Sequence, residues 1–223
     1  MEKRINLLKR IPVFSKLSDE QLMDIVELEI KKDYKKGSII FYEGDKGDAF
    51  YYIQSGKVKM YKTDYEGKEI ILNIFGEGSI IGEVTMFNDI EYPATAEVIE
   101  DAVVGMIYNN EIENLVANNK DLALQIIKEL TKRLYNSQMN VKEMALSSVY
   151  LRTKNVILNL AKDHGVKTTR GIELNLDITR QDIANIVGTT RETVSRVLSE
   201  LKKAEDIDIK GKKIIIKDID DFV

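Results

Sequence analysis

Cysteine is missing from all 223 residues. Disulfides, thiolate metal sites and cysteine-ligated iron–sulfur clusters are therefore excluded. Histidine occurs once, as His164, well outside the strand-rich first half. No Walker loop, GxSxG or metal-spaced cluster is present, so no enzyme chemistry is expected. No apolar run approaches the roughly 20 residues of a membrane span. The opening, MEKRINLLKR, has no apolar core followed by a small-residue cleavage site, so no secretory leader is expected. Cytoplasm is the default compartment for such a chain.

What is present describes a globular protein of ordinary make-up, 43% hydrophobic and 31% charged. The net charge of −4 hides an asymmetry. Residues 1–110 carry 14 Lys and Arg against 20 Asp and Glu, net −6, and residues 111–223 carry 19 against 17, net +2. The second half tolerates a polyanion better than the first.

After a short helical start, residues from about Tyr34 form brief Ile-, Val-, Tyr- and Phe-rich runs punctuated by Gly37, Gly44, Gly47, Gly56, Gly67, Gly76, Gly78 and Gly82. Frequent glycine turns between short strands predict a closed or double-sheet β structure. DAVVGMIY reads as its last buried strand. From about Asn109 the period changes. Asp121 to Leu146 contain neither proline nor glycine, which predicts a helix of roughly 39 Å. Ile126, Leu130, Leu134, Ser137, Val141 and Met144 follow a heptad-like spacing, read as a homodimer seam. Leu122, Leu124 and Ile127 lie off that line and are expected to rest on the β body. A further helix covers about Val149 to Lys162, and DHGVKTTRG reads as a loop.

The stretch TRQDIANIVGTTRETVSRVL begins at Thr179. Thr179 and Asp182 have capping-box spacing. Ile183, Ile186 and Val187 supply an apolar face, and Gly188 can take the positive φ that ends a helix. Thr190 is a good N-cap for the next one. There Val194, Val197, Leu198 and Leu201 form one stripe, while Arg191, Glu192, Ser195, Arg196 and Ser199 cover the other side. Helix, tight turn, helix is a DNA-binding pattern whose second helix can enter the major groove. Arginine can bond guanine in bidentate fashion and a carboxylate can accept from cytosine. Glu192, which phosphates repel, points to base reading. Downstream, IDIKGKKIIIK reads as a hairpin turning near Gly211, with Lys210, Lys212 and Lys213 clustered at its tip, where a wing could hold phosphates.

With those residues together, the chain resembles the Crp/Fnr superfamily of bacterial transcription regulators over nearly its whole length. IPVFSKLSDEQL is similar to the family's N-terminal helix, and GSIIFYEGDKGDAFYYIQSGKVKMY to its cyclic-nucleotide-binding-type β-roll. GEVTMF holds the place of its effector-side segment, and ITRQDIANIVGTTRETVSRVLSEL that of its recognition motif. The resemblance implies an α+β fold: a jelly-roll-like effector domain over 1–119, a dimerisation helix over 120–146 and a winged helix-turn-helix over 147–223. It implies a homodimer on a two-fold operator, with double-stranded DNA and RNA polymerase as partners and no membrane. It assigns DNA contacts to Arg191, Glu192, Ser195, Arg196 and Ser199, supported by Thr179, Arg180, Thr190 and Lys212. Arg191 with Ser195 makes a hybrid of two branches, and the expected half-site is close to TGTGA.

The effector side departs from the pattern. The implied pocket comprises Gly82, Glu83, Val84, Pro93, Ala94, Thr95, Ser137 and Gln138. Cyclic-AMP-binding members carry an Arg-Ser pair where this chain has Pro93-Ala94. Neither residue offers a cation or hydroxyl to a buried phosphate, so cyclic AMP is not expected at that site, and the effector is an unknown small molecule. Haem stays open, because YPATAE is similar to segments in nitric-oxide-responsive relatives. Two alternatives stand beside the DNA-binding reading: a ligand-binding module acting through protein contacts, and a haem-based gas-responsive regulator. A last departure is Glu205-Asp206, where relatives commonly have glycine and an aliphatic residue. The wing's entry is therefore expected to be less well fixed.

Overall fold

A computed structural model describes residues 2–211, 213–219 and 222. The chain divides into two units, Met1–Lys62 with Leu72–Ser137, and Thr63–Ile71 with Gln138–Val223. The division falls inside the long helix rather than at its start.

The first unit opens with α1 (Glu2–Leu8) and α2 (Asp19–Leu28). Ser18 caps α2 through a full capping box with Gln21, which satisfies two of the first-turn N–H groups. Six strands follow: β1 (Ile30–Tyr34), β2 (Ile39–Phe41), β3 (Ala49–Thr63), β4 (Glu69–Phe75), β5 (Ile80–Ile81) and β6 (Thr95–Tyr108). They pair in the order β1-β6-β3-β4, with β2 also on β6 and β5 on β3. The β3–β6 ladder brings Tyr52 opposite Gly105. A Cβ on Gly105 would lie 2.3 Å from Tyr52 Cζ, so only glycine lets that ring lie flat on the strand. Two apolar cores result. In one, Phe14 meets Tyr52 edge-on at 5.5 Å between ring centroids. In the other, Phe41 stacks on Tyr92 at 3.9 Å.

After α3 (Asn109–Asn118) comes α4 (Lys120–Leu146), 27 residues long. Its first turns correct the expected seam. Ile126 is 3% exposed and belongs to the first unit's own core with Leu122, and Leu130 packs against that core half-buried. Leu124 and Ile127, expected on the β body, are instead 53% and 55% exposed. Both faces of the helix are aliphatic here, and composition does not say which one meets the sheet. The outward stripe runs Leu124, Ile127, Thr131, Leu134, Gln138, Val141 and Ala145, spaced alternately 3 and 4. Of the expected seam, Leu134 and Val141 lie on this stripe, while Ser137 and Met144 sit exposed beside it.

The second unit contains α5 (Val149–His164), β7 (Gly165–Thr168), β8 (Gly171–Leu174), α6 (Arg180–Val187), α7 (Arg191–Lys203), β9 (Ile207–Lys210) and β10 (Lys213–Ile216). The sheet order is β7-β8-β10-β9. The stretch read as a loop is thus a hairpin, because β8 finds an edge on β10, with Glu173 opposite Ile215 and Ile172 opposite Ile216. His164 is the last residue of α5.

The end of α7 is well formed despite the absent glycine. Asp206 N–H donates to Leu201 O at 3.1 Å and Glu205 N–H to Lys202 O at 3.2 Å, the two bonds of a Schellman closure. Glu205 itself takes the left-handed conformation, φ 65°, which costs a residue with a side chain about 1–2 kcal/mol. Glu205→Gly is therefore expected to stabilise this unit by about 1 kcal/mol. Thermal melts should show the midpoint of this unit raised by about 4–8 °C; an unchanged or lower midpoint would mean the strain is absorbed elsewhere.

Candidate nucleic-acid interface

The expected helix-turn-helix forms as α6 and α7. Thr179 and Asp182 make the capping box in both directions, Asp182 N–H to Thr179 Oγ1 at 3.1 Å and Thr179 N–H to Asp182 Oδ2 at 2.7 Å. Gly188 ends α6 at φ 72°, ψ 49°, and Thr190 caps α7 by accepting from Thr193 N–H at 3.3 Å. Two fixed helix ends around three residues leave the turn little freedom. The apolar faces then close on each other: Ile183, Ala184 and Val187 of α6, and Val194, Val197, Leu198 and Leu201 of α7, are all buried. Burying four aliphatic side chains of α7 contributes roughly 1.5–3 kcal/mol each, enough to fix which face of the helix is outward.

The outward face carries Arg191, Glu192, Arg196 and Ser199, all exposed, with Ser195 half-buried. None of the three charged groups has an ion-pair partner among the described residues. Their heads are thus free to meet a ligand. Ser199 differs: its hydroxyl donates to Ser195 O at 2.8 Å. The Thr179 and Thr190 hydroxyls serve the caps. Arg180 is exposed at the first turn of α6. At the wing, Lys213 is ion-paired with Glu173 of β8, Lys210 is exposed, and Lys212 lies outside the described residues. The expected lysine tip is therefore partly neutralised, by an acid on β8 just beyond the stretch expected as loop.

The effector-side residues are built differently. Gly82 takes φ 79°, and a Cβ there would approach Ala49 O at 3.1 Å and Tyr92 at 3.3 Å, so the turn needs glycine. Glu83, 10% exposed at its side chain, accepts from Arg133 Nη1 of α4 at 2.6 Å. Arg133 also donates to Ile80 O at 2.8 Å and to Glu129 at 3.0 Å, and its guanidinium lies over Phe75 at 5.2 Å. Arg133 was not singled out in the sequence; only its i,i+4 spacing from Glu129 is visible there. Next to this turn, Tyr92 donates to Ala49 O at 2.6 Å and accepts from Ala49 N–H at 3.2 Å. Burial pushes the Tyr92 phenol upward, and the Tyr51 phenol too, with Tyr92 adding to the second shift. Both stay neutral. Pro93 is exposed, Ala94 is fully buried, and Thr95 uses its hydroxyl to accept from Glu43 N–H at 3.0 Å. Val84 is 39% exposed, and Ser137 and Gln138 are both exposed on α4.

A β-roll tied by an arginine to a long helix, followed in the chain by a capped helix-turn-helix with a wing, defines a DNA-binding transcription regulator. Residues 31–119 match the cyclic nucleotide-binding domain family, and residues 152–222 match the Crp-like helix-turn-helix domain. The chain is 30% identical over 217 residues to the anaerobic regulatory protein of Bacillus subtilis, covering 96% of this chain and 91% of that one. It is 32% identical over 184 residues to the cAMP-activated global transcriptional regulator CRP of Salmonella typhimurium, covering 82% and 87%. Among solved structures, the c-di-GMP responsive global regulator CLP of Xanthomonas campestris overlays with a TM-score of 0.78 at 21% identity, covering 90% of this chain and all of that one. FixK2 from Bradyrhizobium japonicum gives 0.77 at 20%, covering 87% and 95%. The chain belongs to the Crp/Fnr superfamily, and it is a transcription regulator rather than an enzyme. Among the described residues no helix is long and apolar enough to cross a membrane.

Proposed function

We propose that the protein is a homodimeric, sequence-specific regulator acting in the cytoplasm with RNA polymerase, on a two-fold operator with half-sites close to TGTGA. The observation that carries this reading is the face of α7: Arg191, Glu192 and Arg196 exposed, without ion-pair partners among the described residues, over four buried aliphatics. Arg191 and Arg196 each take a guanine and Glu192 a cytosine of the other strand. Arg180, Thr190 and the wing hold phosphates, with Ser195 and Ser199 at the groove edge, while Thr179, whose N–H and hydroxyl are both given to Asp182, serves the contact by fixing the start of α6. The outward stripe of α4 pairs with a second copy and sets the two reading helices about one helical turn apart. A mobility shift on a TGTGA palindrome tests the reading. Binding no tighter than to a scrambled duplex would favour the protein-docking alternative. Phosphate contacts add a salt signature: log K is expected to fall linearly with log salt concentration, by about 0.9 for each phosphate neutralised. A flat dependence between 50 and 200 mM would remove the phosphate contacts from the proposal.

The roll in this reading answers to an effector other than cyclic AMP. Pro93 and Ala94 supply no cation, and Glu83 is already held by Arg133. Admitting a phosphate anion would require breaking that pair or leaving a charge buried alone, each strongly unfavourable. Isothermal titration with cyclic AMP is expected to give no stoichiometric heat, and a micromolar one-to-one isotherm would reverse the conclusion. In this proposal Arg133 joins β5, the Gly82 turn and α4, so a change in the roll reaches the dimer helix through it.

A further inference from the structure

Within the second unit, α6, α7 and the wing line a half-open cleft of about 590 Å³. Its lining includes the apolar Ile183, Leu198, Ile209 and Ile214 together with Arg180 and Arg191. Ile183, Leu198 and Ile214 are at most 4% exposed, so this apolar part of the lining is largely shielded from solvent. Neither arginine has an ion-pair partner among the described residues. The acid nearest Arg180 in sequence, Asp182, is taken up by the Thr179 N–H and hydroxyl, both at 2.7 Å, whereas Glu192, next to Arg191, is exposed and is not part of the cleft lining. At Gly211 on the wing side, a Cβ would meet nothing within 4 Å.

Holding a DNA strand calls for cations on a surface, but not for an aliphatic slot behind them. A volume within the usual 300–1,000 Å³ of small-molecule sites, with four isoleucine or leucine side chains and two arginines in its lining, matches a different ligand. We propose that this cleft binds a small amphipathic carboxylate, its aromatic body between α6, α7 and β9–β10 and its carboxylate on Arg180 and Arg191. Such a ligand occupies the arginine that the proposed function places on a base. Ligand and operator therefore exclude each other, each weakening the other by the same factor. The binding step stands without the DNA-reading proposal; the exclusion step rests on it.

The test uses the full-length protein and 1-naphthoate, with 1-naphthamide as the uncharged match. Titration followed by nitrogen–proton NMR is expected to shift Ile209, Leu198 and the Arg180 side-chain N–H. A dissociation constant of about 0.1–1 mM suits a ligand of this size. The amide should bind at least about tenfold more weakly, and Arg180→Gln should weaken naphthoate about threefold or more, since a charge-assisted bond is lost. Equal binding of acid and amide, no effect of Arg180→Gln, or shifts clustered elsewhere would each overturn the site. In the second arm, naphthoate at saturation is expected to lower operator affinity, with equimolar acetate as the ionic control. If the unliganded protein binds operator and naphthoate occupies the cleft without affecting that binding, the exclusion is wrong. If the unliganded protein does not bind operator at all, the DNA-reading proposal fails and the NMR arm still decides the cleft.

Discussion

Arg191→Ala is expected to weaken binding to a TGTGA palindrome by about 30-fold to 10⁴-fold, since a good bidentate arginine–guanine pair is worth about 1–3 kcal/mol and a dimer loses two. The same change should cost a scrambled duplex little beyond one phosphate-range charge per subunit. Glu192→Ala separates the readings further. Nothing on α7 pairs with this carboxylate, and α7 is already capped by Thr190, so stability should fall only by the first-turn charge–dipole contribution, at most about 1 kcal/mol. If α7 lay only against phosphates, removing the acid would strengthen binding to every sequence. If Glu192 accepts from a cytosine, binding to the palindrome falls, non-specific binding holds or rises, and discrimination at that base pair collapses. Mobility shifts of both variants on the palindrome, on a duplex altered at that position and on a scrambled duplex give the answer. Unchanged palindrome binding by either variant would remove that residue from the base contacts.

This surface was legible because its causes are local. Caps, the glycine at the turn and a 3-4 apolar stripe all act within one or two helical turns, so Thr179, Gly188, Thr190 and the buried face of α7 could be read off spacing. What could not be read depends on partners far along the chain. The hairpin over residues 165–174 is polar and turn-rich by composition, and becomes strand only because β10, some forty residues on, offers it an edge. The same strand, running past the stretch expected as loop, brings Glu173 to Lys213, a pairing set by its register on β10 rather than by anything local. Glu83 and Arg133 lie 50 residues apart, and nothing near either announces the pair. At Glu205 the missing glycine suggested a loosely fixed helix end, yet the two closing hydrogen bonds hold the chain in the left-handed region against the side chain's preference. On α4 the period was visible and the face was not, since both sides of its first turns are aliphatic.

That ambiguity yields the sharpest test of the dimer proposal, carried by two neighbouring isoleucines. Ile126 is buried in the first unit's core and Ile127 is 55% exposed on the outward stripe. Truncating a buried isoleucine to alanine costs about 2–5 kcal/mol through lost transfer and the cavity left behind. Ile126→Ala should therefore lower the stability of the first unit by that amount, while the monomer–dimer equilibrium at 10 °C moves little. Ile127→Ala removes surface that is wet in the single chain. The isolated fold should be unaffected, and helix propensity slightly favours alanine. In a parallel seam, though, both copies lose a side chain whose burial is worth about 1.5–3 kcal/mol, so the dimer should weaken by about 3–6 kcal/mol, or 10²-fold to 10⁴-fold. Val141→Asp, 67% exposed, should do the same by placing like charges opposite each other in an apolar seam. Sedimentation equilibrium across a protein dilution series, alongside thermal melts at fixed concentration, separates the two effects. If the isoleucines behave alike, or if Ile126→Ala dissociates the dimer while Ile127→Ala leaves it intact, the copies meet on the face that the structure gives to the roll. The outward stripe would then have to serve some other partner.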